Sequence, residues 1–131
     1  MKEDIKFPKV EGVLMAIARR MNEEAQAYEY YVYLINENDF ALENVIVNSS
    51  GYKDDKKTSV LRHFLDRVEP RSTTQVEAID PALFALVNQF WLSYYRGKKV
   101  YDKKFVFMPD SITEENFQHV EMLDREAVLH A

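Results

Sequence analysis

The stretch LVNQFWLSYYRGKKVYDKKFVFM, residues 86–108, decides the fold of this chain. Its first arm places Phe90 and Leu92 on one side, and its second arm places Phe105 and Phe107 on one side. A period of two is typical of strands that bury one face. The link between the arms is short and holds a glycine, which reaches the positive φ angles that tight turns require. The pattern predicts an antiparallel β-hairpin.

Alternation, or a dense content of β-branched and aromatic residues, predicts strands in four further segments: residues 13–19, 30–35, 43–48 and 74–79. The second of them, YYVYLI, is apolar on both faces. A strand of this kind is expected at the centre of a sheet, or with its second face covered by another element or another subunit.

Residues 58–68 are compatible with two structures. Their apolar side chains have helical spacing, with Thr58 or Ser59 as a possible cap, but they also alternate as a strand. The β-rich neighbours favour the strand. The sequence therefore predicts a mainly β fold, an antiparallel β-sandwich of six or seven strands in a single domain over residues 1–131. An α+β fold with a helix at 58–68 is the alternative.

The C-terminal part predicts one short helix. Ser111 and Glu114 have the spacing of a capping box, and they follow Pro109, so a helix is expected over residues 112–119. Residues 120–131 are compatible with a last strand or with an irregular tail.

Composition excludes several classes of site and of partner. The chain has no cysteine, which excludes a thiol nucleophile, a cysteine-ligated zinc site and a disulfide framework. Its net charge is -5, so the chain as a whole is not a generic polyanion binder. No segment approaches the roughly 20 apolar residues that span a bilayer, and residues 1–6 do not begin a secretory signal. We expect a cytoplasmic protein with no membrane partner.

The sequence contains no catalytic or metal-binding motif. Its three histidines lack metal-ligand spacing, and its serines lack the G-x-S-x-G turn. The loop GYKDDKKT, residues 51–58, matches part of the phosphate-binding pattern, but Lys56 stands where the second glycine is needed. We predict no catalytic residue, no metal and no cofactor, and an enzyme remains an alternative.

The predicted hairpin concentrates basic charge among aromatic residues. Residues 96–104 hold five basic residues against one acid. Such a surface can stack bases and neutralise phosphates, so a nucleic-acid-associated module using residues 94–105 is an alternative function. The lysines can equally protect an exposed sheet edge from aggregation. The candidate binding residues are Tyr95, Arg96, Lys98, Lys99, Tyr101, Lys103 and Lys104. The acidic segment after residue 105 is expected to cover this patch, in the same chain or in another copy.

Aromatic residues make up 13% of the chain, and those left on a sheet face would anchor an interface. The candidate interface residues are Tyr31, Tyr33 and Trp91. The favoured function is a binding module without catalytic activity, whose partner is a protein or a second copy of the chain.

Five segments carry a resemblance to a known family. They are YVYLIN (31–36), SGY (50–52), KTS (57–59), LRH (61–63) and YDKKF (101–105). These segments are similar to those of a family of short bacterial proteins without an assigned activity, some of which are labelled phenylalanyl-tRNA synthetase alpha subunit. The resemblance implies a compact β-rich domain and a synthetase-related enzyme as a further alternative. It carries over no catalytic residue, because the ATP-gripping arginine motifs of a class II synthetase have no counterpart in this sequence.

Overall fold

A computed structural model describes residues 8–131, and these contain ten β-strands. The prediction that residues 1–6 do not begin a secretory signal concerns residues outside the described part of the chain. The strands are β1 (Val13–Asn22), β2 (Ala27–Asn36), β3 (Leu42–Lys53), β4 (Lys56–Lys57), β5 (Leu61–Val68), β6 (Ser72–Ala78), β7 (Val87–Arg96), β8 (Lys99–Phe107), β9 (Gln118–Val120) and β10 (Arg125–His130). Three short 3-10 helices span Pro81–Ala85, Pro109–Ser111 and Glu114–Asn116.

The strands form two five-stranded sheets, and every pair is antiparallel. The first sheet has the order β6-β2-β1-β10-β9. In the second sheet β3 pairs with β7, which pairs with β8, while β5 and the very short β4 share the other side of β3. The prediction of a mainly β, antiparallel fold is confirmed. The predicted number of strands is too low, because β4, β9 and β10 were not assigned.

One hydrophobic core joins the two sheets. Alternate residues of each strand supply it: Met15 and Ile17 come from β1, and Phe90 and Leu92 come from β7, each no more than 2% exposed. The rings of Phe90 and Phe107 meet edge to face, with centroids 5.9 Å apart. Each fully buried side chain of this size contributes about 1.5–3 kcal/mol, so the alternation read from the sequence is also the main source of stability.

Residues 86–108 form the predicted hairpin. The register of β7 and β8 extends from Asn88 opposite Phe107 to Arg96 opposite Lys99. The two-residue turn between the strands has Gly97 at a φ of 63°. A positive φ at the first central position is typical of the type II′ turns that match the twist of a hairpin.

Residues 58–68 contain a strand, and the helix alternative is wrong. β5 pairs with β3, with Phe64 opposite Ile46 and His63 opposite Val47. Seven residues of β5 pair with the side of β3 that β7 does not occupy. The backbone hydrogen bonds of this pairing stabilise the strand more than the helical spacing of the apolar side chains stabilises a helix.

The predicted helix over residues 112–119 is also wrong. The two polar groups of the capping box have other partners: the Ser111 hydroxyl donates to the Met108 carbonyl at 2.7 Å, and the Glu114 carboxylate binds Arg19. Ile112 and Phe117 are both buried, and their burial holds this segment in two single-turn 3-10 helices instead.

Among residues 8–131, no helix has the length and apolar character that crossing a bilayer demands.

The Asn36 side chain connects two loops at one end of the first sheet, the loop after β2 and the loop between β5 and β6. It is fully buried at the end of β2, and its amide donates to the carbonyls of Phe40 (2.9 Å) and Glu69 (3.1 Å). Gly12 closes the same region at a φ of 70°, and a Cβ there would lie 2.4 Å from the side-chain oxygen of Asn38. Only a glycine fits this approach without displacing its neighbour.

Candidate functional site

The outer face of the second sheet exposes large aromatic side chains. Phe64 on β5 is 71% exposed, and Trp91 and Tyr95 on β7 are 48% and 42% exposed. Ile46 on β3 lies opposite Phe64 and is half-buried. We call these four residues the aromatic face. They occupy the strand positions that alternate with the core residues of the same strands, so the sheet itself holds them outward.

Charged and polar side chains surround Trp91. Its indole N–H donates to the carboxylate of Asp102, and the ammonium of Lys104 lies 5.4 Å from the ring centroid. In the same cross-strand row, the Arg62 guanidinium donates to the Asn48 side chain at 2.9 Å. Two cations therefore lie in the row that contains the tryptophan.

A shallow groove runs beside Phe64. It has a volume of about 240 Å³ and is lined by Asn44, Val45, Ile46, Phe64 and Asp66. Asn44 and Asp66 have positive φ values of 48° and 59°, at the irregularity in the pairing of β3 with β5. A β-bulge re-aims the neighbouring side chains, and here it opens the groove next to an acidic residue.

The predicted binding residues of the hairpin are divided among different surfaces. Strand alternation places Tyr95 and Lys104 on the aromatic face, and it places Tyr101 and Lys103 on the same side as the core residues of β8. The other three residues are Arg96, Lys99 and, in the turn, Lys98. β8 is the outermost strand of its sheet, so its lysines also lie where charge discourages edge-to-edge pairing.

Tyr31 and Tyr33 lie on the outer face of the first sheet, far from Trp91 in the fold. The Tyr33 hydroxyl donates to Gln75 at 3.3 Å and accepts from Arg125, and its ring packs in a second apolar cluster with Ala16 and Ala18. The Tyr31 hydroxyl donates to Glu29 at 2.8 Å, and this hydrogen bond raises the pKa of Tyr31. β2 is paired on both edges, by β1 and β6, but β1 occupies the centre of this sheet. Of the two expected arrangements of an apolar strand, the covered second face fits better, because Tyr33 and Ile35 pack in the second apolar cluster.

Arg19 is a buried charge that was not singled out from the sequence. It is 5% exposed, and its guanidinium binds the carboxylates of Glu114 and Glu126. It also lies 4.3 Å from the ring centroid of Tyr28 and 4.5 Å from that of Phe117. The hydrogen bond from Arg19 lowers the pKa of Glu114. The sequence does contain a signal for the burial of Arg19, because this residue continues the alternation that places Met15 and Ile17 of β1 in the core.

Arg19 also binds two of the acidic residues of the C-terminal segment. Glu114 and Glu126 bind this arginine, and Asp124 lies 3.9 Å from His119. Within residues 8–131 none of the acids of this segment forms an ion pair with a lysine of the hairpin. Over residues 8–131, the acidic segment therefore forms no ion pairs that would cover the basic patch in the same chain. Pairing of β10 with β1 places Glu126 opposite Arg19 instead.

The other candidate motifs have structural partners. In the loop of residues 51–58, the Gly51 N–H donates to the Thr58 hydroxyl and the Thr58 N–H donates to the Gly51 carbonyl, both at 2.8 Å. His63 joins the two sheets through Glu77, with 2.9 Å between Nε2 and Oε1. In the described part of the chain, no group of three or more histidine, aspartate and glutamate side chains could hold a metal ion.

A cleft of about 340 Å³ lies at the end of the sheets that carries the hairpin turn. Arg96 and Tyr101 line it, together with Phe40 and Tyr94. Two of the predicted hairpin residues thus line the same cleft.

Neither a scan against protein-family models nor a search of the curated proteins finds a match to this chain.

Proposed function

We propose that this chain is a cytoplasmic β-sandwich module that works by binding, without catalytic activity, and that the aromatic face binds a second copy of the chain. The observation that carries the proposal is the exposure of Phe64, Trp91 and Tyr95 on one rigid sheet face. Exposed aromatic side chains cost little conformational entropy to immobilise and are frequent anchors of protein interfaces. Burying Phe64 and Trp91 would contribute about 1.5–3 kcal/mol each.

The charges around the aromatic face favour a second copy as the partner. Arg62 and Lys104 lie in the row of Trp91, while Asp66 and Asp102 lie beside Phe64 and in the adjacent row. A two-fold axis brings the same patch of both copies together, so the patch must complement itself. Equal numbers of cations and acids in neighbouring rows allow each cationic row to meet an acidic row of the other copy.

The nucleic-acid alternative has less support. It requires the cations of residues 94–105 on one surface with stacked aromatic residues. Alternation along β8 instead separates Lys103 from Lys104, and Asp102 accompanies Lys104 on the aromatic face.

The test is the mass of the full chain in solution. Light scattering after size exclusion, from micromolar to several hundred micromolar, should show the 15.5 kDa chain giving way to a dimer. Phe64→Ser and Trp91→Ser should each shift the equilibrium to the monomer while keeping the far-UV circular dichroism of a β fold, since neither side chain belongs to the core and they are 71% and 48% exposed. Leu129→Ser is the matched control, because Leu129 is 45% exposed on β10 of the other sheet.

A strict monomer at the highest concentration would overturn self-association. Equal dissociation by Leu129→Ser would show that any dimer uses a different surface. Staining of cells that express a tagged full chain tests the cytoplasmic location separately.

A further inference from the structure

The cleft at the hairpin end is separate from the aromatic face. It is formed by the loop that follows β2, the segment that precedes β1 and the adjoining ends of β7 and β8. Its volume of about 340 Å³ falls within the roughly 300–1,000 Å³ that is common for sites of small molecules. The lining residues used below are Lys9, Glu11, Phe40, Tyr94, Arg96 and Tyr101.

Arg96 directs its guanidinium group to this cleft, and it makes no ion pair with any residue of the described range 8–131. The carbon of its guanidinium lies 3.5 Å from the centroid of the Phe40 ring. A guanidinium that stacks on a ring keeps its N–H groups directed outward in the plane, which is the geometry that binds a carboxylate with two parallel hydrogen bonds.

Tyr94 supplies a second polar group, because it lines the cleft. The residue as a whole is 2% exposed, so the phenol ring is held in one place. Burial, with a smaller effect of the neighbouring Tyr101, raises the pKa of Tyr94 to about 12. The phenol therefore keeps its proton at neutral pH and can donate it in a hydrogen bond. A carboxylate oxygen bound in the cleft can accept this hydrogen bond, and hydrogen bonds to a charged acceptor are stronger than neutral ones.

One part of the cleft wall is aromatic. The rings of Tyr94 and Tyr101 stack with their centroids 5.0 Å apart and an angle of 2° between their planes. Phe40 adds the ring on which Arg96 lies. A planar, apolar body fits against such rings.

We propose that this cleft binds a small organic monoanion in which a carboxylate is attached to a planar, apolar group. The carboxylate lies at the edge of the Arg96 guanidinium and accepts the hydrogen bond of the Tyr94 hydroxyl, while the ring packs on Tyr101. Lys9 and Arg96 carry two positive charges against the single negative charge of Glu11, so the site favours one net negative charge on the ligand.

The experiment is a titration of the isotope-labelled full chain with benzoate and with phenylacetate, followed by two-dimensional amide NMR. We expect saturable shifts at Phe40, Arg96 and Tyr101, and a much weaker response to benzamide, which has the same shape without the charge. Arg96→Gln should weaken binding of the carboxylates by about tenfold or more, and Tyr94→Phe should weaken it several-fold while keeping the stacked ring. Lys98→Gln in the turn is the control and should leave the affinity unchanged.

Three results would each overturn the proposal: absence of a saturable shift with both carboxylates, equal binding of benzamide, or unchanged affinity in Arg96→Gln. Phe64→Ser on the aromatic face should not alter this binding, so the outcome is independent of self-association.

Discussion

Replacing Arg19 with methionine tests whether the buried guanidinium holds the C-terminal segment against the first sheet. Methionine keeps a flexible, unbranched stem of similar reach but removes the charge and the hydrogen bonds. We expect the variant to fold, and to lose stability mainly because the contacts with Tyr28 and Phe117 are lost.

The magnitude follows from the environment of the guanidinium. Two cation–π contacts, at 4.3 Å and 4.5 Å from the ring centroids, contribute about 1 kcal/mol each at a site that is 5% exposed. Glu114 and Glu126 stay largely in solvent, with side chains 79% and 47% exposed, so their ion pairs are screened and add little. Methionine also removes the desolvation cost of the charge. The two contacts together give an upper limit of about 2 kcal/mol, and the relieved desolvation cost brings the expected net loss to about 1–2 kcal/mol.

Urea unfolding at neutral pH, followed by circular dichroism and by tryptophan fluorescence, measures this loss. Arg20→Met is the matched control: the neighbouring Arg20 side chain is 53% exposed and lies 3.7 Å from Glu29, so the free energy of unfolding should change by less than about 0.5 kcal/mol. Equal losses for the two variants, or a loss below about 0.5 kcal/mol for Arg19→Met, would refute the reasoning.

Three further outcomes are expected. The hydrogen bond from Arg19 lowers the folded-state pKa of Glu114, so the small stability that this exposed pair supplies is complete above about pH 4.5 and is lost as the pH falls through the lowered pKa. Glu114→Gln should flatten this part of the curve of unfolding free energy against pH by a small, measurable amount, and an unchanged acid limb would contradict the assignment. Gly12→Ala should cost about 2–3 kcal/mol in urea unfolding and Gly97→Ala only about 1 kcal/mol, since both have positive φ but only the first lacks room for a Cβ; equal losses would show that backbone strain alone decides. The full chain should show no salt-sensitive affinity for single-stranded RNA in fluorescence anisotropy at low salt, whereas binding that Lys98→Glu with Lys99→Glu weakens would restore the nucleic-acid alternative.

The elements that alternate strongly were predictable from the sequence. Residues 86–108 contain both a turn residue and two arms of period two, so local chemistry and the final sheet agree. Residues 58–68 were harder, because their apolar spacing suits both structures and only pairing with β3 decides. At residues 111–114 the capping-box spacing was misleading, since Arg19, remote in sequence, takes the Glu114 side chain.

The candidate site was predictable only in part. The aromatic content of the sequence makes Trp91 an interface candidate, and its side chain is 48% exposed on the outer face of the sheet. Phe64 is not identifiable in the same way, because its face depends on the register of β5 with β3. Tyr31 and Tyr33 were selected for the same reason as Trp91, yet their sheet covers them with its own side chains. Sequence identifies which strands have two apolar faces, whereas long-range pairing decides which face remains open.

Strand β2 is apolar on both faces, and this has a consequence for how the protein aggregates. Residues 30–35 hold no charge and no proline, the composition of segments that stack into amyloid fibrils. β1 covers one edge of this segment, but the other edge is covered only by β6, the outermost strand, whose pairing is irregular between Val32 and Tyr33. Mild heat or acid that peels β6 away would uncover a fibril-forming template while the rest of the chain is still folded, so aggregation should precede global unfolding.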